Sequence, residues 1–197
     1  MFKGLVMGTA DIAIQRHCQV NLETARLLQE FTANLVLETK DIQPVFKLHL
    51  PFSILETVNE ELKSKGVSEV ASVLVFHKTT TEVSPSACHV DGNAVQNYLS
   101  NVSLVLPVLG CTNDTGQYWY EGPYKLHHVE AAVRYYKIDW LDTPRLVDHV
   151  SIQAPTLCRV NIPHGAHANG REPRVTCTLR FKANETFEDA HEKLSAC

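Results

Sequence analysis

The sequence predicts an α+β chain in which a helical first third supports a mainly β remainder folded as an antiparallel barrel or jelly roll. Three observations carry this. Helical apolar spacing is confined to the first 66 residues, about seven β-branched and aromatic runs fill roughly the next 115, and no helical pattern lies between those runs to make them βαβ units.

A chain of 197 residues and 22.0 kDa is the size of one domain. We read residues 1–66 as a helical support region, 67–183 as the β core and 184–197 as a C-terminal tail. With 44% hydrophobic and 20% charged residues the chain can bury a core, which excludes disordered and fibrous classes. The net charge of −4 and the lack of a basic run give no basis for attracting nucleic acid or an anionic membrane.

From Asn21 to Glu38, Leu22, Ala25, Leu28, Leu35 and Val36 recur at helical spacing, with Asn21 as the expected N-cap. A second helix is predicted from Ser53 to Lys65. Ser53 and Glu56 would form a capping box, Leu55, Val58 and Leu62 the apolar stripe, and Gly66 the stop. The strand runs that follow are Val70 to Thr81, Tyr98 to Leu109, Gly116 to Tyr120, Val129 to Trp140, Leu146 to Gln153, Leu157 to Ile162 and Arg174 to Ala183.

The uncharged stretch Gly4 to Ala10 is too short for a membrane span or a secretory leader, so a cytoplasmic protein is expected. Cys18, Cys88, Cys111, Cys158, Cys177 and Cys197 show no CxxC or other metal spacing. In a reducing compartment they read as small apolar residues and a loose terminal thiol rather than disulfides.

The chemistry concentrates in two places. Ser86-Ala-Cys-His-Val-Asp-Gly carries His89 and Asp91, which share a face if the segment opens a strand. Seventy-three residues past Asp91, the segment Asn161-Ile-Pro-His-Gly-Ala-His places His164 at the end of an apolar strand. Two imidazoles and a carboxylate on a β scaffold are the facial triad that leaves three positions open on a non-haem Fe(II). Ten residues past His164, Arg174 and Thr176 share one strand face while Val175 and Cys177 take the other. An arginine aimed into a half-apolar barrel needs an anion, and its planar fork with a neighbouring hydroxyl suits a carboxylate.

His89-x-Asp91, His164 and Arg174-x-Thr176, ending in Thr178-Leu-Arg-Phe181, resemble the double-stranded β-helix of the 2-oxoglutarate and Fe(II)-dependent oxygenases, over about residues 70 to 183. Leu104 to Tyr120 is similar to the middle strands of that superfamily, whereas the N-terminal third lies outside the likeness. The resemblance implies a cupin-like jelly-roll core with His89, Asp91 and His164 as catalytic iron ligands. It further implies Arg174 as partner of the 2-oxoglutarate C5 carboxylate, helped by Thr176 where the family more often has Ser. It also implies decarboxylation of 2-oxoglutarate to succinate and CO2 coupled to hydroxylation of an amino-acid side chain, a peptide or a small metabolite, with ascorbate as reductant in vitro. His89 and His164 must be neutral to bind metal, so loading is expected to weaken in mild acid.

His167 competes with His164 but lacks the ten-residue offset to Arg-x-Thr. Arg171 reads as a solvated loop residue, Arg180 as a rim ion pair, and His127 and His128 as an exposed hairpin end. Tyr118, Trp119 and Tyr120 read as core residues before substrate contacts, and Asn101 and Ser103 as residues within reach of the cofactor. The alternative function is a cupin-like protein that binds a metal or sugar without oxygenase turnover. Such a protein has no need of Arg174. A non-catalytic interaction module ranks last because none of the three ligands is missing.

Overall fold

The computed structural model describes residues 15–92, 101–129, 135–182 and 185–195. Gly4 to Ala10, Cys197 and the parts of the predicted strands at 98–100, 130–134 and 183 lie outside the described residues. The chain is mostly β, with two antiparallel sheets of six strands each and three helices.

Helix α1 spans Ala25–Glu38 and α2 spans Phe52–Ser64. Neither start is capped as expected. Asn21 lies outside α1, whose Thr24 N-cap makes no capping bond of its own. Instead the Glu61 carboxylate of α2 accepts from the Glu23 and Thr24 amides at 2.7 and 2.8 Å and from the Thr24 hydroxyl, so one helix closes the open end of the other. Pro51 stands at the α2 N-cap, which puts Ser53 inside the first turn and rules out the capping box. The α2 stop follows the sequence: Gly66 has φ +77°, its amide bonds Lys63 O, and the Val67 amide bonds Leu62 O, a complete Schellman motif.

The first sheet runs β1 (His17–Gln19), β10 (Thr156–Arg159), β5 (Val102–Leu109), β12 (Arg174–Phe181), β3 (Val70–Lys78) and β2 (Val45–Leu48). Short strands β1 and β2 were not predicted; each adds to an edge of the sheet inside the region read as helical. The second sheet runs β7 (Tyr124–Val129), β8 (Tyr135–Trp140), β4 (His89–Asp91), β11 (His164–His167), β6 (Gly116–Glu121) and β9 (Arg145–Val150). The single strand expected at Val129 to Trp140 is thus the second arm of an antiparallel pair with β7, in which His127 and His128 lie near the end rather than the start of a strand. The region read as a tail holds α3 (Phe187–Ser195), which buries Phe187, Ala190 and Leu194 and packs against β10.

The period of two divides the first sheet. Val73, Val75, Leu104, Leu106, Val175, Cys177 and Leu179 join Leu28, Val36, Val58 and Leu62 of α1 and α2 in the main core. The other face turns inward to the second sheet. There Val105, Trp119, Ile152, Cys158 and Val160 form a smaller apolar cluster, and beside it a polar pocket opens. The five described cysteines are free thiols. No helix among the described residues is long and apolar enough to cross a membrane.

Candidate metal centre and anion pocket

His89 and His164 sit directly opposite each other on β4 and β11, so strand pairing alone brings the two imidazoles together, with ring centroids 4.5 Å apart. Asp91, two residues along β4, shares the face of His89. Its Oδ1 lies 3.4 Å from His89 Nε2 and 3.9 Å from His164 Nε2, and one ligand atom from each residue falls within 4.8 Å of the others. Among the described residues this is the one cluster of three such groups, and it could hold a metal ion. His164 Nδ1 is 2.9 Å from Ile162 O. A carbonyl only accepts, so the proton sits on Nδ1 and the Nε2 lone pair faces Asp91, the tautomer a metal ligand needs.

The electrostatics keep the set in its ligating charge state. Burial, reinforced by neighbouring His89, pushes His164 down to about 4 and holds it neutral. Burial alone would raise Asp91. The Arg180 charge and the His89 hydrogen bond outweigh it and carry the carboxyl well below its usual range.

Arg180 corrects an expectation. It is 7% exposed rather than at a rim, its Nη2 lies 2.7 Å from Asp91 Oδ2, and its Nη1 donates to Gly92 O at 3.0 Å. β12 belongs to the first sheet and β4 to the second, so this arginine ties the His-x-Asp strand across the sandwich. It also occupies one carboxylate oxygen and leaves the other toward the histidines.

Arg174, Thr176 and Thr178 face the same pocket from β12, together with His89, Asp91 and His164 from the second sheet. Arg174 is 2% exposed, yet its Nε and Nη2 are buried without any hydrogen-bond partner. Burial lowers its pKa, and no carboxylate among the described residues pairs with it. A bulge where Val108 has no β12 partner, between the Val175–Leu109 and Thr176–Pro107 pairs, lies beside Arg174 at the strand's start. Gly110, at φ +59°, lets the chain pass there, because a Cβ would stand 2.2 Å from Pro173 O.

The remaining candidates separate cleanly. His167 lies on the opposite face of β11 from His164, with its Nε2 2.7 Å from His149 Nε2, over Gly116. It takes no part in the triad. Arg171 is exposed in its loop, and exposed His127 pairs with Asp139 at 2.6 Å. Tyr118, Trp119 and Tyr120 are 0%, 0% and 9% exposed and pack in two apolar clusters, and although Val105 and Val160 of the Trp119 cluster border the pocket, none of the three aromatic residues lines it, which leaves them the core role. Ser103 lines the pocket and its buried hydroxyl has no partner, whereas Asn101 accepts from Asn161 Nδ2 at 3.0 Å outside it.

Two features escaped the sequence. Gly165 is required beside His164, since a Cβ there would stand 2.5 Å from the Tyr118 ring. Lys78, at the end of β3, faces the pocket opposite Arg174. Comparison of the chain with protein-family models, curated proteins and solved structures gave no match in any of the three.

Proposed function

We propose that the protein is an Fe(II)- and 2-oxoglutarate-dependent oxygenase acting on an amino-acid side chain or a small metabolite in the cytoplasm, and that its two sheets form a double-stranded β-helix. The strand orders support the fold: β3, β12, β5 and β10 adjoin in one sheet and β4, β11, β6 and β9 in the other, so strands distant in sequence interleave across the sandwich.

The observation that carries the function is the buried Arg174 guanidinium, with two unpartnered nitrogens, in the same pocket as the His-Asp-His set. An unpaired charge in so dry a position is costly unless a ligand meets it. A protein that only held a metal or a sugar would need the triad and have no use for this arginine. Lys78 and Arg174 line the pocket, and its one carboxylate, Asp91, is already paired with Arg180 behind it, which leaves the pocket cationic and favours a dianion such as 2-oxoglutarate.

The residues present fit the cofactor. His89, Asp91 and His164 would hold Fe(II) and leave positions open for the keto acid and O2. The iron, when bound, supplies the oxygen activation by which 2-oxoglutarate, O2 and a substrate C–H become succinate, CO2 and an alcohol. The protein's own work is positional. Ile162 O fixes the His164 tautomer, Arg180 orients Asp91, Arg174 and Thr176 take the C5 carboxylate, and the Val105 and Val160 side keeps water out.

The test is succinate formed from 2-oxoglutarate with Fe(II), ascorbate and air, across a panel of candidate substrates. Slow uncoupled turnover by the wild type and none by Asp91→Ala is expected. Succinate no greater in wild type than in Asp91→Ala refutes the oxygenase.

A further inference from the structure

We propose that Lys78 and Arg174 together grip the distal carboxylate of the co-substrate, so that this pocket selects a dicarboxylate through two cations on neighbouring strands rather than through one arginine. The inference rests on the oxygenase reading and adds to it a determinant on β3, outside the segments that carried the resemblance.

Strand register supplies the first argument. Arg174 is paired with Lys78 in the antiparallel β12–β3 ladder, which sets their Cα atoms about 4.5–5.5 Å apart with both side chains on one face. The next pairs along the ladder are Thr176 with Phe76, then Thr178 with Leu74, then Arg180 with Ser72. Arg180 holds Asp91, so the two unpaired cations stand at one end of this face and the metal ligands toward the other. Arg174 and Arg180 lie six positions apart on β12, about 20 Å between Cα atoms.

Charge supplies the second. Neither Lys78 nor Arg174 has an ion pair with any described carboxylate, although both face the pocket. Two cations placed side by side repel each other, and burial together with Arg174 holds the Lys78 ammonium below its usual pKa. Folding gains nothing from this arrangement. A carboxylate seated between the two relieves the repulsion and fills the orphaned Nε and Nη2 of Arg174. Arginine contributes the planar fork and lysine a point charge with rotatable donors, so one anion can satisfy both.

The experiment is calorimetric titration of the Mn(II)-loaded protein with 2-oxoglutarate and with 2-oxopentanoate, the same five-carbon 2-oxo acid bearing a methyl in place of the distal carboxylate. Lys78→Met should weaken 2-oxoglutarate binding by about 10- to 100-fold. The affinity for 2-oxopentanoate should stay within about twofold of wild type, because neither cation has a partner in that acid. Lys78→Arg should restore most of the lost affinity, and Lys78→Gln stands in if Lys78→Met does not fold. Unchanged 2-oxoglutarate affinity in Lys78→Met, or an equal loss for both acids, overturns the proposal. Succinate formation separates its failure from that of the oxygenase reading. Wild type and Lys78→Met turning over with the same 2-oxoglutarate dependence removes Lys78 and keeps the enzyme. A wild type that prefers the dicarboxylate in a Lys78-dependent way yet never forms succinate keeps the two-cation grip and removes the enzyme. Binding of neither acid removes both.

Discussion

Replacing Arg174 by methionine should make the ligand-free protein more stable while destroying its capacity for 2-oxoglutarate. The guanidinium is 2% exposed, two of its nitrogens are buried with no partner, and Lys78 adds a like charge opposite. An unsatisfied buried donor costs about 1–3 kcal/mol, and replacing buried charge by apolar side chains of similar volume stabilises proteins by about 1–4 kcal/mol where the charge is poorly compensated. Methionine keeps much of the apolar stem, so the packing loss is about 1 kcal/mol and the net gain about 1–3 kcal/mol. In a domain of this size that corresponds to a rise in Tm of roughly 2–12 °C. Binding moves the other way. Losing a charge-assisted pair to a buried carboxylate costs about 2–5 kcal/mol, or about 30-fold to several thousand-fold in Kd. Urea unfolding of the metal-free protein gives the first quantity, and calorimetry of the Mn(II)-loaded protein with 2-oxoglutarate gives the second. If Arg174→Met lowers the stability of the ligand-free protein by more than about 1 kcal/mol, the arginine is part of the fold's own polar network and is not held ready for an anion.

His164→Ala should cost metal affinity at least the ~100-fold that loss of an outer-shell partner can cause, while His167→Ala, on the opposite face of β11, should leave Mn(II) binding within about threefold; equal losses would reverse the assignment. In the metal-free protein His164 is held at about 4 against 6.5 unfolded, so the unfolded chain takes up the proton first and stability falls as pH drops from 6.5 to 4, by about 3 kcal/mol from this residue. Asp91, depressed instead, adds a loss in the same direction at still lower pH. Urea midpoints across pH 7 to 4 should slope less in His164→Gln than in wild type, and parallel slopes would refute the burial effect. Gly165→Ala should destabilise the protein by about 1–3 kcal/mol and weaken metal binding, because its methyl collides with the buried Tyr118 ring next to His164; an unaltered Tm would show that β11 has room to shift.

Part of the triad was legible from local geometry, and His164 came from its offset to Arg174-x-Thr176 and the resemblance that this pattern carries. His89 and Asp91 share a face by the period of two, and His164 stands ten residues before Arg174, on the strand that precedes it in the facing sheet. The inward orientation of Arg174 and Thr176 followed from the same alternation, with Val175 and Cys177 turned to the helices. What stayed hidden depends on pairing between segments far apart in the chain. Lys78 looks like an ordinary strand end until the register sets it against Arg174, and Arg180 looks like a surface cation until the two sheets close over Asp91. Helix capping by Glu61 is hidden for the same reason, since the donor groups belong to α1 and the acceptor to α2. Strands β1 and β2 are three and four residues long, too short to show a period, and they exist because an open sheet edge offers them partners.

β12 shows how stability and chemistry share one strand without conflict. Its odd positions, Val175, Cys177, Leu179 and Phe181, are at most 4% exposed and join the helix-backed core, where apolar burial offsets the cost of ordering the chain. Its even positions, Arg174, Thr176, Thr178 and Arg180, are also buried, but every one is polar. Arg180 is compensated by Asp91 within the protein. Arg174 is not, and of the four it stands farthest along this face from Arg180 and the Asp91 it holds. A strand buried on both sides tolerates one uncompensated charge only if the other face supplies enough apolar contact to hold it in place. The core beneath Arg174, from Val175 to Leu28 and Leu106, supplies that contact, so the strain sits where a ligand can release it.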